Sequence, residues 1–131
     1  MVRILNPVGE FKRETEHSKA GKMDLEMGDI PVLSRVIVAD EDVDLEEGKS
    51  VSIKIKEIDI PAKYVVVIGG YAANRYGHPI AVGSDAHIPL SMDKTVNRAA
   101  FVVVDNGKIE KGDLLGFLSL LPVKIINTLL G

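Results

Sequence analysis

The stretch from Ser50 to Ile60, SVSIKIKEIDI, decides the fold class. Apolar and polar side chains alternate along it, with Val51, Ile53 and Ile55 set against Ser52, Lys54 and Lys56. Because successive side chains of a strand point to opposite faces, this period of two predicts a β-strand. One face of the strand is expected on a core and the other in water.

Further strands are predicted on both sides of this stretch. VLSRVIVA (Val32 to Ala39) is rich in β-branched residues, which favour strands. YVVVIGG (Tyr64 to Gly70) is apolar on both faces, which predicts a central strand of a sandwich. LLGFLSLLPV (Leu114 to Val123) predicts a buried strand that ends at Pro122.

Turn signals complete the pattern. Asn106-Gly107 is the preferred dipeptide of a two-residue hairpin turn, and Lys111-Gly112-Asp113 predicts a second turn. About eight short strands with little helix predict an all-β sandwich or barrel. A helical pattern is suggested only for the tail, Val123 to Leu130. We expect one domain over residues 1–131, in which residues 1–20 form an N-terminal strand and a mobile polar segment.

Composition limits the function classes. A length of 131 residues with 46% apolar residues supports one packed domain. The net charge of −3 argues against nucleic acid and membrane surfaces as partners. Since there is no cysteine, disulfides and thiolate catalysis are excluded. The chain shows neither a signal peptide nor an apolar run of about 18 residues, so a cytoplasmic location is expected.

Candidate binding residues concentrate between Tyr71 and Arg98. The stretch YAANRYGHPIAVGSDAHIP (Tyr71 to Pro89) holds two of the three histidines of the chain. The candidates for ligand binding are Asn74, Arg75, His78, Ser84, Asp85, His87, Asp93 and Arg98. Imidazole titrates near neutrality, which suits His78 or His87 to acid–base work, and an arginine can hold a phosphate or carboxylate. No catalytic residue is assigned.

A metal site has weak support. In an extended segment Asp85 and His87 face the same side, and with His78 they could bind a divalent metal. The alternative is that the histidines bind turn backbone, so no metal or other cofactor is assigned. The acidic run from Asp40 to Glu47 fails as a calcium loop, because its sixth position is Leu45 and its twelfth is Val51. A solvated turn is the better interpretation.

Two other kinds of site are disfavoured. Ser84, Asp85 and His87 cannot form a local catalytic triad, because such groups come from distant segments. The glycines at positions 69, 70 and 77 lack the lysine and spacing of a phosphate loop. We expect them to allow positive φ angles at turns.

The segment GDLLGFLSLLPV (Gly112 to Val123) resembles the closing strand of the trimeric dUTPase family. AGKMDL (Ala20 to Leu25), DVDLEEGKSVSIKI (Asp42 to Ile55) and YAANRYGHPIAVG (Tyr71 to Gly83) also resemble parts of that family's layout. The resemblance implies a β-clip fold, a compact all-β architecture that commonly forms trimers. In this chain Ile68-Gly69-Gly70-Tyr71 stands where that family has its phosphate-binding motif. The tyrosine of the family's uridine-binding hairpin is also missing, since no tyrosine lies between Asp93 and Arg98. Hydrolysis of dUTP is therefore disfavoured.

The whole chain is also similar to an archaeal group of uncharacterised proteins, domain-of-unknown-function family 22. The similarity lies in its length, the KGDLLGFLSLLPV ending (Lys111 to Val123) and the GHPIAVGS segment (Gly77 to Ser84). That resemblance implies no established activity, in agreement with the absence of a catalytic motif.

Two functions therefore stand as hypotheses. The first is a non-catalytic β-domain that self-associates, with a trimer favoured, because the apolar residues from Leu114 to Leu130 exceed what one small core is expected to cover. The second is a small-molecule or nucleotide-binding enzyme, metal-dependent in one version, with its site in residues 71–98 at a subunit interface. A lipoyl-type carrier, prompted by IEKGDLLGFL (Ile109 to Leu118), lacks the lysine flanked by methionine and ranks lowest.

Overall fold

The computed structural model describes residues 22–71, 73–86, 88–124 and 126, with the backbone alone for 22–27. These residues form nine strands and no helix. The strands are β1 (Lys22–Met27), β2 (Ile30–Val38), β3 (Val43–Leu45), β4 (Ser50–Ile60), β5 (Tyr64–Ile68), β6 (Gly77–Gly83), β7 (Lys94–Val103), β8 (Gly107–Ile109) and β9 (Leu114–Pro122). A search of these residues for a helix able to cross a membrane finds none. The segment predicted at residues 1–20 and most of the tail from Val123 to Leu130 lie outside them.

The described strands form three antiparallel sheets, none of which closes into a barrel. The first sheet has the order β1-β2-β9-β5, the second pairs β3 with β8, and the third has the order β4-β7-β6. The prediction of an all-β fold is confirmed. One core, built from the first and third sheets and the small β3–β8 pair, joins all three.

Strand β4 covers the same eleven residues that the alternating pattern predicted. Ile53 and Ile55 are buried and Ser52 and Lys54 are exposed, as expected. The alternation slips once, because the pairing of β4 with β7 jumps at a β-bulge between Lys54 and Ile58. This bulge sets four residue steps of β4 against two of β7, and beyond it Ile58 and Ile60 lie on the core face.

Strand β9 lies inside the first sheet, paired with β2 on one edge and β5 on the other. Leu115, Leu118 and Leu120 are fully buried, which confirms the prediction of a buried strand. The strand also lies against β6, where a Cβ at Gly116 would meet the Pro79 ring at 2.7 Å. A side chain at position 116 would therefore separate the two sheets.

The central position predicted for Tyr64 to Gly70 is wrong. Strand β5 is the last strand of its sheet and pairs only with β9 among the described strands. Val66 and Ile68 pack on the core, whereas Val67 points away from it and is 46% exposed. The apolar residues on both faces suggested that both faces would be packed against other strands. In the described part of the chain only the face with Val66 and Ile68 is packed in this way.

The hairpin predicted at Asn106-Gly107 is also wrong. Strand β8 leaves β7 and pairs with β3, so the two strands that flank the dipeptide do not pair with each other. Gly107 does not have a positive φ angle. A Cβ at that position would overlap the Tyr76 ring, so the glycine is needed for close packing. The turn predicted at Lys111 to Asp113 is confirmed, with Gly112 at a φ of 94°.

The positive φ angles predicted for the glycines at 69, 70 and 77 are not found. Gly77 begins β6 and lies against β7, where an added Cβ would overlap the Val102 carbonyl oxygen and the Phe101 ring. The middle of the segment that contained the candidate site, Gly77–Gly83, is therefore a paired strand. Its Pro79 lies at a register shift, which is where a sheet tolerates proline.

Replacement of Gly77 by alanine tests this packing. We expect Gly77→Ala to lower the free energy of unfolding by about 2–3 kcal/mol, because β6 must move away from β7. Gly70→Ala is the control, since no atom lies within 4 Å of its added Cβ, and its effect should stay within about 0.5 kcal/mol. Urea denaturation measures both, and equal effects of the two substitutions would contradict the packing argument.

Candidate functional site

A cleft of about 670 Å³ opens where β4 ends and β7 begins. The residues that line it are Asp59, Ile60, Pro61, Ser84, Ala86, Ile88, Asp93, Lys94 and Thr95. An adjoining cavity of about 260 Å³ shares Ile60, Ala86 and Lys94 with it and reaches Val66 of β5, Val82 of β6 and Val96 of β7. The two spaces therefore lead from the surface into the gap between the first and third sheets.

The pairing of β4 with β7 positions the mouth of the cleft. Ile60 lies opposite Lys94, and Asp59 lies opposite Thr95. The Thr95 hydroxyl donates a hydrogen bond to Asp59 Oδ1 at 3.0 Å. The turn after β4 is held as well, because the Ala62 N–H donates to Asp93 Oδ1 at 2.7 Å. Both carboxylates thus have defined positions at the mouth.

Lys94 is the unusual residue of this cleft. Its Nζ is buried and has no hydrogen-bond partner in the structure. Burying an ionised amine costs several kcal/mol unless an opposite charge or a set of acceptors accompanies it. The lysine therefore supplies an unpaired hydrogen-bond donor between the sheets, next to the apolar side chains of Val66, Val82 and Val96.

Asp59 and Asp93 have a different environment. Both residues are exposed, so water and salt screen their charges. Two unit charges 4 Å apart interact by about 1 kcal/mol in water, against about 4 kcal/mol where the effective dielectric constant is 20. A charge on a bound molecule would therefore respond more strongly to buried Lys94 than to either rim carboxylate.

Two of the eight sequence candidates line this cleft, namely Ser84 and Asp93. The Ser84 hydroxyl donates to the Ala86 carbonyl oxygen at 3.0 Å, which shapes the loop after β6. Asp85 is exposed on the same loop and is absent from the lining of the cleft. Of the residues predicted to form a site within 71–98, the structure therefore brings only part to this cleft.

Asn74 and Arg75 serve the fold at another place. The Asn74 Nδ2 donates to the Leu114 carbonyl oxygen at 2.9 Å, and its Oδ1 accepts from the Tyr76 N–H at 2.9 Å. The Arg75 guanidinium lies 5.0 Å from the centre of the Tyr76 ring, a cation–π distance. These contacts hold the turn before β6, and neither residue lines the cleft.

His78 lies near the start of β6, opposite Val102 of β7. Its Nδ1 is buried without a hydrogen-bond partner. Asp85 lies on the exposed loop that follows the other end of β6. His87 lies outside the described residues. In the part of the chain that the structure describes, no three potential ligands are grouped around a metal position.

Arg98 lies on a separate shallow depression of about 310 Å³ that Ser52, Ser84 and Ala100 also line. Its Nη1 is 4.0 Å from Glu41 Oε2, and both side chains are partly exposed. An exposed ion pair of this kind contributes little free energy. The depression nonetheless adjoins the cleft through Ser84.

The acidic run differs from the solvated turn that we predicted. Asp40 lies 3.8–4.0 Å from the ammonium groups of Lys54, Lys56 and Lys111. The side chains of Glu41 and Asp42 accept backbone hydrogen bonds from Lys54 and Lys111, respectively. The carboxylates therefore attach the end of β2 to β4 and to the 111–113 turn.

Sequence analysis missed Lys94, Asp59 and Thr95. A signal for the lysine was present, because a period of two puts Lys94 on the same face as buried Val96. A lysine on the core face of a strand is uncommon without a partner. Nothing in the sequence showed that the ends of β4 and β7 would border a cavity.

Comparisons with known proteins agree with the resemblance seen in the sequence. A family model described as "Domain of unknown function DUF22" matches residues 1–107. An uncharacterized protein of Methanocaldococcus jannaschii is 34% identical over 122 residues, which cover 93% of this chain and 92% of the relative. No solved structure matches the chain at a significant level.

Removal of the buried charge should stabilise the ligand-free protein. We expect Lys94→Met to raise the free energy of unfolding by about 1–3 kcal/mol, since methionine keeps most of the side-chain volume without the ammonium. Lys108→Met, at an exposed position of β8, is the control and should change it by less than about 0.5 kcal/mol. Chemical denaturation measures both, and a destabilised Lys94→Met would show that the ammonium is paired in solution.

Proposed function

The chain belongs to the DUF22 family, and since the family description names no activity, we propose from the geometry of the chain itself that it binds a small molecule in the cleft beside Lys94. The observation that carries this proposal is that Lys94 lines the cleft while its Nζ is covered and has no hydrogen-bond partner. Ordinary structural lysines keep the ammonium in water.

The size and lining of the cleft support binding. Its volume of about 670 Å³ falls within the range of about 300–1,000 Å³ that is usual for small-molecule sites. Ile60, Pro61 and Ile88 give it apolar walls, and a few polar groups stand at the mouth. An apolar pocket with few fixed polar groups is the common composition of such sites.

No reaction is part of this proposal. The two carboxylates that line the cleft each accept a hydrogen bond at one oxygen, from Thr95 and from Ala62. Those bonds give them a role in shaping the mouth. A nucleotide fits the cleft less well than a smaller molecule, since Arg75 and Arg98, the candidates for phosphate binding, lie elsewhere.

A ligand screen with a variant whose cleft is filled by a large side chain tests the proposal. A thermal-shift screen should include anionic, neutral and cationic fragments. We expect at least one fragment to raise the melting temperature by about 2 °C or more, because a bound ligand adds roughly RT ln(1 + [L]/Kd) to the free energy of unfolding. Ala86→Trp places a large side chain at a residue that lines both spaces and should abolish that shift. Asp105→Trp, on an exposed loop, is the control and should retain it. The proposal fails if every shift persists in Ala86→Trp.

We also propose that the protein self-associates, with a trimer favoured, a β-clip architecture and a cytoplasmic location. The late leucines of β9, from which self-association was predicted, are mostly buried within one chain. Strand β5 now supports the proposal instead. It ends its sheet, pairs with no second strand among the described residues, and exposes Val67. An apolar edge of this kind favours pairing with another chain.

Light scattering after size-exclusion chromatography tests self-association. At micromolar concentration we expect the mass of three chains. Val67→Lys should lower that mass, because an exposed charge on β5 opposes pairing. Val104→Lys is the matched control, since Val104 is an exposed valine outside the strands. A monomer mass for the unmodified protein would contradict the proposal.

A further inference from the structure

We infer that the molecule bound in the cleft is a small organic monoanion with an apolar body, of the monocarboxylate class, and that Lys94 is the residue that pairs with its charge. The inference rests on the proposed function and deepens it by naming the ligand chemistry. The inference rests on three features of the cleft: the covered Lys94 ammonium, the single cationic residue in the described lining, and the aliphatic side chains of the walls.

The sign of the ligand charge follows from the Lys94 ammonium. Its Nζ has no hydrogen-bond partner and sits out of water. A bound carboxylate supplies the missing counter-charge and up to two acceptors for the ammonium protons. Nζ is covered in the ligand-free structure, so this pairing requires the flexible end of the side chain to turn toward the cleft that the residue lines.

The number of charges follows from the neighbours of Lys94. It is the one cationic side chain among the described residues that line the cleft and the adjoining cavity. Asp59 and Asp93 stand at the mouth and repel further negative charge. Phosphate recognition usually draws on an arginine fork or several backbone N–H groups, and the described lining holds no arginine. A singly charged carboxylate therefore suits the cleft better than a phosphate.

The body of the ligand follows from the walls. Ile60 and Ile88 line both spaces together with the lysine, and Val66, Val82 and Val96 line the adjoining cavity of about 260 Å³. Aliphatic side chains with no hydrogen-bonding atoms select an apolar group. A short branched aliphatic chain attached to the carboxylate would place its methyl groups against these side chains.

A matched set of ligands tests the inference. The probes are 4-methylpentanoate, its primary amide, the corresponding amine and inorganic phosphate, each titrated into the full chain and followed by ¹H–¹⁵N NMR. We expect 4-methylpentanoate to bind at least tenfold more tightly than the amide, amine or phosphate. In Lys94→Met the carboxylate should bind about 10- to 100-fold more weakly, because a charge-assisted hydrogen bond is lost.

Two further variants separate charge from shape. Lys94→Arg keeps the positive charge and should retain most of the preference for the carboxylate over the amide. Lys108→Met removes a remote exposed lysine and should leave the affinity unchanged. The affinities are interpreted only for variants whose NMR spectra show the folded protein, and Lys94→Met and Lys94→Arg keep the inference testable if one of them fails to fold.

The outcomes also distinguish this inference from the proposed function. If the amide or the amine binds the cleft as tightly as the carboxylate, or if Lys94→Met does not weaken the carboxylate, the inference is overturned and the proposed binding site stands. If phosphate binds most tightly, the monocarboxylate class is wrong. If no probe or screened fragment binds in a way that Ala86→Trp abolishes, both the inference and the proposed function are overturned.

Discussion

Strand β9 imposes the constraint on which the rest of the structure depends. It is paired on both edges, and its side chains are buried at successive as well as alternate positions. Strands β2 and β5 provide the pairing, and Ile53 and Phe101 of the third sheet belong to the core that covers it. The β6 strand lies close enough to need a glycine at position 116. The position of each sheet is therefore set relative to β9.

The bulge in β4 connects this packing to the cleft. Without it, the alternation that buries Ile53 and Ile55 would turn Ile58 and Ile60 toward water. The register shift returns them to the core face and sets Ile60 opposite Lys94. The same shift leaves Asp59 and Thr95 at the mouth, joined by a hydrogen bond. A local irregularity in one strand thus defines the polar rim and the apolar wall of one cavity.

Polar residues in this protein divide into those that hold turns and those that face the cleft. Asn74, Asp42 and Glu41 accept or donate hydrogen bonds with backbone groups of distant segments. Such bonds satisfy backbone groups that the short strands leave unpaired. Lys94 does not take part in this network, because its ammonium has no partner. Of the described buried polar atoms without a partner, Lys94 Nζ is the one that belongs to a residue of the cleft, whereas His78 Nδ1 and Asn97 Oδ1 belong to residues elsewhere.

The sequence by itself determined the all-β class, the extent of β4, the buried β9 strand, the turn at Gly112 and the family. Each of these depends on alternation, turn chemistry or similarity, which are local or direct properties of the chain. Only the tertiary structure decided that β5 lies at an edge, that β8 pairs with β3, and that Lys94 borders a cavity. Ser84 and Asp93, which line the cleft, were among the sequence candidates because they are polar residues near loops, whereas Lys94 belongs to a strand. Strand partners and cavities join residues far apart in sequence, so periodicity cannot specify them.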